Sequence, residues 1–318
     1  MFIKEVLELS DGVEFSGSYI ISEINLKPFK NKDAYYLSFV LQDKTGRIFG
    51  KIWDNADKID LKKSQIVFIE GKINQFKGTN QAVVESFKVL DEDKIDRSDF
   101  IRSAIEDTNK MYAEMISIIA EYITDKDILK VTQIFIDDEN FKEMFKECPG
   151  GKGDVHHAYL GGLLEHILGV MRICVDLSKR YNINTSILIA GAFLHDIGKL
   201  VSYNYEGLAI EMTDLGRLHG HIALGYNYFL KIIDDVEIDE NKKHELKTIL
   251  GHLILSHHGS IEQQAVQLPM TLEAMLLAHA DAIDADINHI TNICEKYDYG
   301  WTSYDNLRGR MYYLGQKK

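Results

Sequence analysis

All twelve histidines of this 318-residue chain lie between His156 and His289, and the first 155 residues contain none. Imidazole is the commonest protein ligand for divalent transition metals. The histidines also keep company with carboxylates. His166 sits in the amphipathic stretch Leu163-Leu164-Glu165-His166-Ile167-Leu168, and the apolar run from Ile187 to Leu194 ends in His195-Asp196-Ile197-Gly198-Lys199. His219-Gly220-His221 opens a further helical segment, His257-His258-Gly259 closes another, and Asp281 lies inside a last one. An ionised Asp at the end of a buried helix is costly unless a cation faces it. Adjacent helical residues are about 100° apart, so His195 and Asp196 reach one ion lodged beside the helix. A lone histidine is most often a satisfied core residue. His195-Asp196 together with His166, His221, His257, His258 and Asp281 reads instead as a divalent-metal site.

Helical geometry sorts the remaining candidates. His279 and Asp281 are two apart, hence about 200° apart, and do not share an ion. Asp281 and Asp284 are three apart and share a face, so Asp284 is expected to support a ligand from behind. His244, His252 and His289 lack a partner pattern and are expected to be surface or structural. Met111 and Met115 belong to a core stripe. The break Pro149-Gly150-Gly151-Lys152-Gly153 matches no phosphate loop and is expected to be a turn.

Positioning those groups needs a folded scaffold, and the composition supplies one: 45% hydrophobic, 27% charged and three prolines. The length suggests about two domains. The net charge of −13 argues against nucleic-acid binding by bulk charge, though not against a local basic groove. Residues 1–97 hold 15 basic and 16 acidic residues, so nearly all the negative charge lies beyond them. Three widely spaced cysteines (Cys148, Cys174 and Cys294) fit a reducing cytoplasm better than a disulfide framework. No signal peptide and no membrane span are expected.

The histidine-free part reads as strands at 13–22, 34–42, 47–53, 66–76 and 82–90, with a polar break at 54–65 and a hairpin at Asp43-Lys44-Thr45-Gly46. Within 34–42, Tyr35, Leu37, Phe39 and Leu41 share one face, and Tyr36, Ser38 and Val40 the more exposed one. Five short strands in about 90 residues fit an OB-type β-barrel. Such barrels hold single strands by stacking bases on aromatics beside lysines. Tyr36, Phe49, Lys51, Trp53, Phe76 and Lys77 are the candidates, with Lys27, Lys30, Lys32 and Arg47 in neighbouring loops. The alternative is that Phe49 and Trp53 fill the barrel. The acidic stretch 91–98 reads as a linker, and helical spacing follows from Asp99 to Tyr122 and over 127–146. The expected fold class is multidomain α and β, with an N-terminal five-stranded barrel followed by an all-α domain. The expected division is a barrel over 1–90, a linker and helical connection over 91–150, and a metal-site domain over 151–318.

The ordered set His166, His195-Asp196, His221, His257 (with His258) and Asp281 resembles the HD superfamily of metal-dependent phosphohydrolases. A barrel ahead of it, and the opening His156-His157-Ala158-Tyr159-Leu160-Gly161-Gly162-Leu163-Leu164-Glu165-His166, resemble specifically the YhaM-type 3′→5′ exoribonucleases. The likeness extends over nearly the whole chain, including an aromatic tail around Trp301 and Tyr304. No Gly-Tyr-Pro follows His257-His258-Gly259, a departure from the cyclic-di-GMP phosphodiesterase branch. The resemblance implies one metal held by His166, His195, Asp196 and Asp281. Asp196 would bridge to a second, held by His221 and His257 or His258. The ligand mix suits Mn²⁺, favoured for the family, or Fe²⁺ or Zn²⁺, over Mg²⁺. The implied reaction is attack by metal-activated water on a phosphodiester of single-stranded RNA, releasing nucleoside 5′-monophosphates, with single-stranded DNA a further substrate. Lys199 and Arg217 would add positive charge near the reacting phosphate, or stay solvated. His156 and His157 would contact the phosphate or protonate the leaving group, or form a polar loop. Two other readings stay open: a phosphohydrolase of nucleotides or small phosphoesters, and a single-strand-binding module without significant catalysis. Self-association through the 99–146 helices is also open.

Overall fold

The structure is a computed structural model. It describes all residues except Lys30, Lys32, Lys77, Glu92, Asp93, Lys94, Asp154, Leu208, Lys317 and Lys318, together with the side chain of Arg97. The chain divides into two compact units, Met1–Ser103 with Tyr205–Ala209, and Ala104–Asn204 with Ile210–Lys318. Part of the expected connection over 91–150, from Ala104 onward, thus falls within the second unit.

The first unit is a closed barrel of β1 (Glu14–Pro28), β2 (Tyr35–Asp43), β3 (Gly46–Ile52), β4 (Ile66–Phe76) and β5 (Thr79–Val89), in the order β1-β2-β3-β5-β4. One parallel pairing, Gly50↔Ala82 and Lys51↔Val83, closes an otherwise antiparallel sheet, giving the OB type of barrel. Leu37, Phe39, Leu41, Ile48, Ile52, Val67, Ile69 and Ile73 fill it. A side chain at Gly50 would collide with the Phe39 ring, so the bare backbone there lets the largest core aromatic of β2 lie across the interior. A short helix, α1 (Ile3–Leu7), buries Ile3 and Val6 in the same core. The buried Asp43 ties it down by accepting from Ile3 N at 2.6 Å, while its other oxygen accepts from Thr45 N at 2.7 Å in the hairpin.

Three details differ from the sequence expectation. Strand β1 runs on to Pro28, because its exposed second half pairs with β2 from Glu23↔Val40 to Pro28↔Tyr35 after a bulge at Ser22. That half carries no buried face, so no apolar alternation announces it. Strand β5 starts at Thr79, where the β4 hairpin closes with Phe76↔Thr79. In β2 the inner face is as expected except at its first residue: Tyr35 is exposed at the strand end, and Val40 is buried although it lies on the opposite face.

The second unit is mainly helical, with a small ribbon of β6 (Tyr203–Asn204) and β7 (Glu211–Met212) and, after the last helix, isolated bridges Trp301↔Tyr313 and Asp305↔Arg310. Helices α2 (Thr108–Tyr122), α3 (Lys126–Asp137) and α4 (Glu139–Glu147) come first. The expected helix from Asp99 instead begins at Thr108, because the Asp107 carboxylate accepts from Asn109 N and Lys110 N and fixes the start. Ile105, which fits the helical spacing, is 97% exposed. The expected 127–146 helix is divided by Asp138, which ends α3 and caps α4 through Asn140 N and Phe141 N. Next come α5 (Gly162–Ser178), α6 (Thr185–Leu194), α7 (Lys199–Ser202), α8 (Asp214–Asp234), α9 (Glu240–Ser256) and α10 (Leu272–Cys294).

Helix α6 is apolar on every side and is surrounded, packing against α5, α9, α10, α2 and α3. The window Thr185–Ser202 is apolar and long enough to cross a membrane, with mean hydropathy 1.2, but 83% of it is buried inside the protein. Phe135, Phe141, Phe145 and Phe193 form one aromatic cluster, with Phe193 6.0–6.2 Å from the other three ring centroids. Phe193 is fully buried two residues before His195. Phe193→Ala is expected to cost about 3–5 kcal/mol of unfolding free energy. Urea denaturation followed by far-UV circular dichroism checks this, and a loss under about 1 kcal/mol would mean the cluster repacks.

Candidate metal centre and nucleic-acid interface

Five helices of the second unit, α5, α6, α8, α9 and α10, and the turn before α7 bring side chains to a common centre. His166 comes from the first turns of α5, His195 caps the end of α6, and Asp196 lies in the turn before α7. His221 follows Gly220, whose backbone (φ 74°, ψ 153°) breaks α8. His257 caps the end of α9, and Asp281 projects from α10. A side chain at Gly198 would collide with the His221 carbonyl and with Gly225 N, so the His-Asp turn and the α8 break approach as bare backbones.

The centre has two compartments on either side of Asp196. In one, His166 Nε2 lies 3.1 Å from Asp281 Oδ1, 3.3 Å from His195 Nε2 and 3.4 Å from Asp196 Oδ2. In the other, Asp196 Oδ1 lies 3.3 Å from His221 Nε2 and 3.6 Å from His257 Nε2. The ligating atoms of His221, His257 and His258 lie within 4.8 Å of one another, as do those of His166, His195 and Asp281. The tautomers are set from behind. Nδ1 of His195 donates to Ala192 O at 2.8 Å, Nδ1 of His257 to Ile254 O at 2.7 Å, and Nδ1 of His258 to Gln263 O at 2.8 Å. Each ring therefore turns Nε2 toward the centre, as imidazole ligands do.

Three buried atoms that meet there, Asp196 Oδ1, His221 Nε2 and His257 Nε2, have no hydrogen-bond partner. Each such orphan costs about 1–3 kcal/mol, and a divalent cation is the group that would satisfy all three at once. The donor set fits it. Burial pushes His221 down to about 4 and His257 well below its ordinary value, which keeps both rings neutral. Burial alone would raise Asp196, but Lys199, 2.6 Å from Oδ2, and His195 hold it well below the usual carboxylate range. Burial likewise would raise Asp281, and His166 outweighs it. Burial would lower His166, but Asp196, Asp281 and Asp284 together raise it well above the ordinary imidazole value.

The other expected site residues are distributed as follows. Asp284 touches the back of His166, with Oδ2 2.7 Å from Nδ1. Lys199 is buried against Asp196. The His156 ring is half-buried beside His166, 5.4 Å between centroids, and burial followed by the Lys199 charge pushes it down to about 2. His157 is 3% exposed and turns away from the compartments onto Asp284. Arg217 is exposed, and its side chain makes no hydrogen bond or ion pair among the described residues. His252 accepts from Met270 N, and His289 binds Asp305. Tyr159, Glu165 and Asn288, which join His157 behind the centre, escaped the sequence reading. Only Asn288 had a signal, four residues beyond Asp284 on the same face of α10.

In the first unit, Tyr36, Trp53 and Phe29 form an aromatic cluster with centroids 5.1–5.8 Å apart. The Lys51 ammonium lies 5.0 Å from the Trp53 ring and 5.5 Å from that of Phe76. Phe49, Trp53 and Phe76 are 56%, 37% and 52% exposed, so Phe49 and Trp53 do not fill the barrel. Phe29 was not anticipated, although it stands in the basic stretch Lys27-Pro28-Phe29-Lys30. Lys27 is exposed, and Arg47 pairs with Glu23 at 3.0 Å. The expectations for Lys30, Lys32 and Lys77 lie outside the described residues.

The family model described as HD domain matches residues 163–286. The chain is 30% identical over 293 residues to the 3′-5′ exoribonuclease YhaM of Oceanobacillus iheyensis, covering 91% of this chain and 89% of that protein. It belongs to the YhaM family. The YhaM proteins of Listeria welshimeri (28% over 290 residues, 90% of this chain and 89% of that protein) and Bacillus subtilis (27% over 289 residues, 89% and 88%) are similar along the same length. A stretch of the chain is also similar to the second OB-fold domain of replication protein A from Methanococcus maripaludis, at 22% identity and a TM-score of 0.24, over 27% of this chain and 93% of that one. The chain is thus a hydrolase with an HD domain, and that domain implies dependence on a divalent metal.

Metal binding and His166 protonation compete for the same nitrogen, because its Nδ1 proton is held by Asp284. With its pKa raised in the metal-free protein, His166 carries an Nε2 proton at neutral pH that a cation must displace. Divalent-metal binding is therefore expected to release protons at pH 7 and to tighten as pH rises toward the His166 pKa. Isothermal titration with Mn²⁺ in buffers of different ionisation enthalpy measures this, and a heat independent of buffer contradicts it.

Proposed function

We propose that the chain is a 3′→5′ exoribonuclease that hydrolyses single-stranded RNA from its 3′ end and releases nucleoside 5′-monophosphates. The observation that carries the reading is the pair of compartments sharing the buried Asp196 carboxylate, one of them lined by His221 and His257, whose Nε2 atoms lack hydrogen-bond partners among the described residues. We assign His166, His195, Asp196 and Asp281 to one cation, and Asp196, His221, His257 and His258 to a second. Mn²⁺ is favoured, with Fe²⁺ or Zn²⁺ also suited to these donors and Mg²⁺ less so. When bound, the cation supplies Lewis acidity toward the phosphodiester and lowers the pKa of coordinated water.

The chain's own groups do the rest. Lys199 is held at the centre by Asp196 and offers positive charge toward a phosphate entering beside it. His156, kept neutral by burial, serves as a hydrogen-bond partner to the phosphate rather than as an acid. His157, buried away from the compartments, is left out of proton transfer to the leaving group. The exposed rings of Phe49, Trp53 and Phe76 and the half-buried ring of Tyr36, with Lys51 among them, offer stacking faces and charge for a single strand. The names of the YhaM relatives support RNA as the substrate. Single-stranded DNA would meet the same stacking faces, which carry no 2′-hydroxyl test. We place the protein in the cytoplasm and divide it into a binding barrel over 1–90, a connection over 91–150 and a phosphohydrolase domain over 151–318.

A 5′-labelled oligoribonucleotide incubated with Mn²⁺ is expected to shorten from its 3′ end. Chelator should stop the reaction, Mn²⁺ should restore it, and Asp196→Ala should abolish it. Trp53→Ala is expected to weaken oligomer binding by about 1–3 kcal/mol, while turnover of a small phosphodiester stays unchanged. Equal turnover of mononucleotides and oligomers, with Trp53→Ala silent, would favour a small-phosphoester hydrolase instead.

A further inference from the structure

We propose that His157 is a positioning residue for His166: it clamps Asp284 so that this carboxylate fixes the ring facing the metal. The proposal rests on the metal-centre reading above and concerns the layer behind it. Asp284 Oδ2 lies 2.7 Å from His166 Nδ1 and 2.9 Å from His157 Nε2. An ionised carboxylate only accepts, so both rings donate to the one oxygen. A carboxylate held by one ring would pivot, whereas the second donor fixes its plane. A side chain at Gly169 would collide with Asp284 Oδ1, so the carboxylate lies directly against α5.

His157 is itself held on every side. Its main-chain N donates to Asn288 Oδ1 at 3.0 Å, and its Nδ1 lies 3.0 Å from the Tyr159 hydroxyl. That hydroxyl donates to Glu165 Oε2 at 2.6 Å and accepts from Asn288 Nδ2 at 3.2 Å. The backbone makes room for the ring at a cost. His157 has φ +51°, a left-handed conformation uncommon for a residue other than glycine. A side chain at Gly150 would come within 2.6 Å of the His157 Cβ, and one at Gly162 would strike the His157 carbonyl. Strain and close glycines around a ring that is buried and turned onto Asp284 mark a support, not a group that touches substrate.

The test is Mn²⁺ affinity of chelator-treated, full-length protein by isothermal titration, with folding followed by circular dichroism. His157→Phe keeps an aromatic ring and removes both ring nitrogens, the Nε2 donor to Asp284 among them. It is expected to weaken Mn²⁺ binding by about tenfold to a hundredfold with an unchanged far-UV spectrum. His157→Gln, which returns an amide donor toward Asp284, should recover much of the loss. Folded His157→Phe binding Mn²⁺ as tightly as wild type overturns the proposal. Should His157→Phe fail to fold, Tyr159→Phe removes one hydroxyl only. It is then expected to weaken binding by about two- to tenfold, and unchanged affinity overturns the proposal. Wild-type protein that binds no divalent metal would instead overturn the metal-centre reading, and this proposal with it.

Discussion

A single buried carboxylate organises the second unit. Asp196 is 1% exposed, and each of its oxygens faces a different set of partners. Oδ2 meets Lys199, His166 and His195, and Oδ1 meets His221 and His257. A charge so placed is tolerable only where cations or donors surround it. The surrounding side chains come from α5, the end of α6, the break in α8 and the end of α9. Those helices have to converge for the carboxylate to be buried at all. The apolar α6 supplies the driving force, since a helix with no polar face must be wrapped by its neighbours.

Helix ends do the positioning. His195 and His257 both sit where a helix runs out, and both donate Nδ1 to the carbonyl three residues back. The last carbonyls of a helix lack intrahelical partners. Each ring thus satisfies the backbone and fixes its own tautomer in one contact. His221 reaches the centre by a different device, the break at Gly220. Burial keeps the His221 and His257 rings neutral, while Asp196, Asp281 and Asp284 raise His166 above the ordinary imidazole value.

The barrel solves a separate problem. Its interior is closed by Phe15, Tyr19, Phe39 and the aliphatic residues around them, while Phe49, Trp53 and Phe76 stay on the outside. Tyr36, Trp53 and Phe29 shelter one another, and Lys51 lies over Trp53 and Phe76. Exposed aromatics beside a lysine make a surface suited to unpaired bases, in a chain whose net charge of −13 would otherwise repel a polyanion. Bulk charge is therefore a poor guide here, and local placement is what matters.

Which residue types could meet a cation was legible along the chain. His195-Asp196 after an apolar run states its chemistry locally, because burial of a charge is implied by the eight residues before it. The three-residue spacing of Asp281 and Asp284 likewise settled their common face, and the alternation in β2 settled which of that strand's residues, Leu37, Phe39 and Leu41, enter the barrel core. Tertiary structure alone decided the rest. His157 and Asp284 are 127 positions apart, so no local periodicity could join them. Whether Phe49 and Trp53 point inward depended on barrel closure through the β3–β5 pairing, a non-local event. The start of α2 was lost for a smaller reason: a single carboxylate at Asp107 captured two free amides and overrode apolar spacing that would have begun the helix earlier.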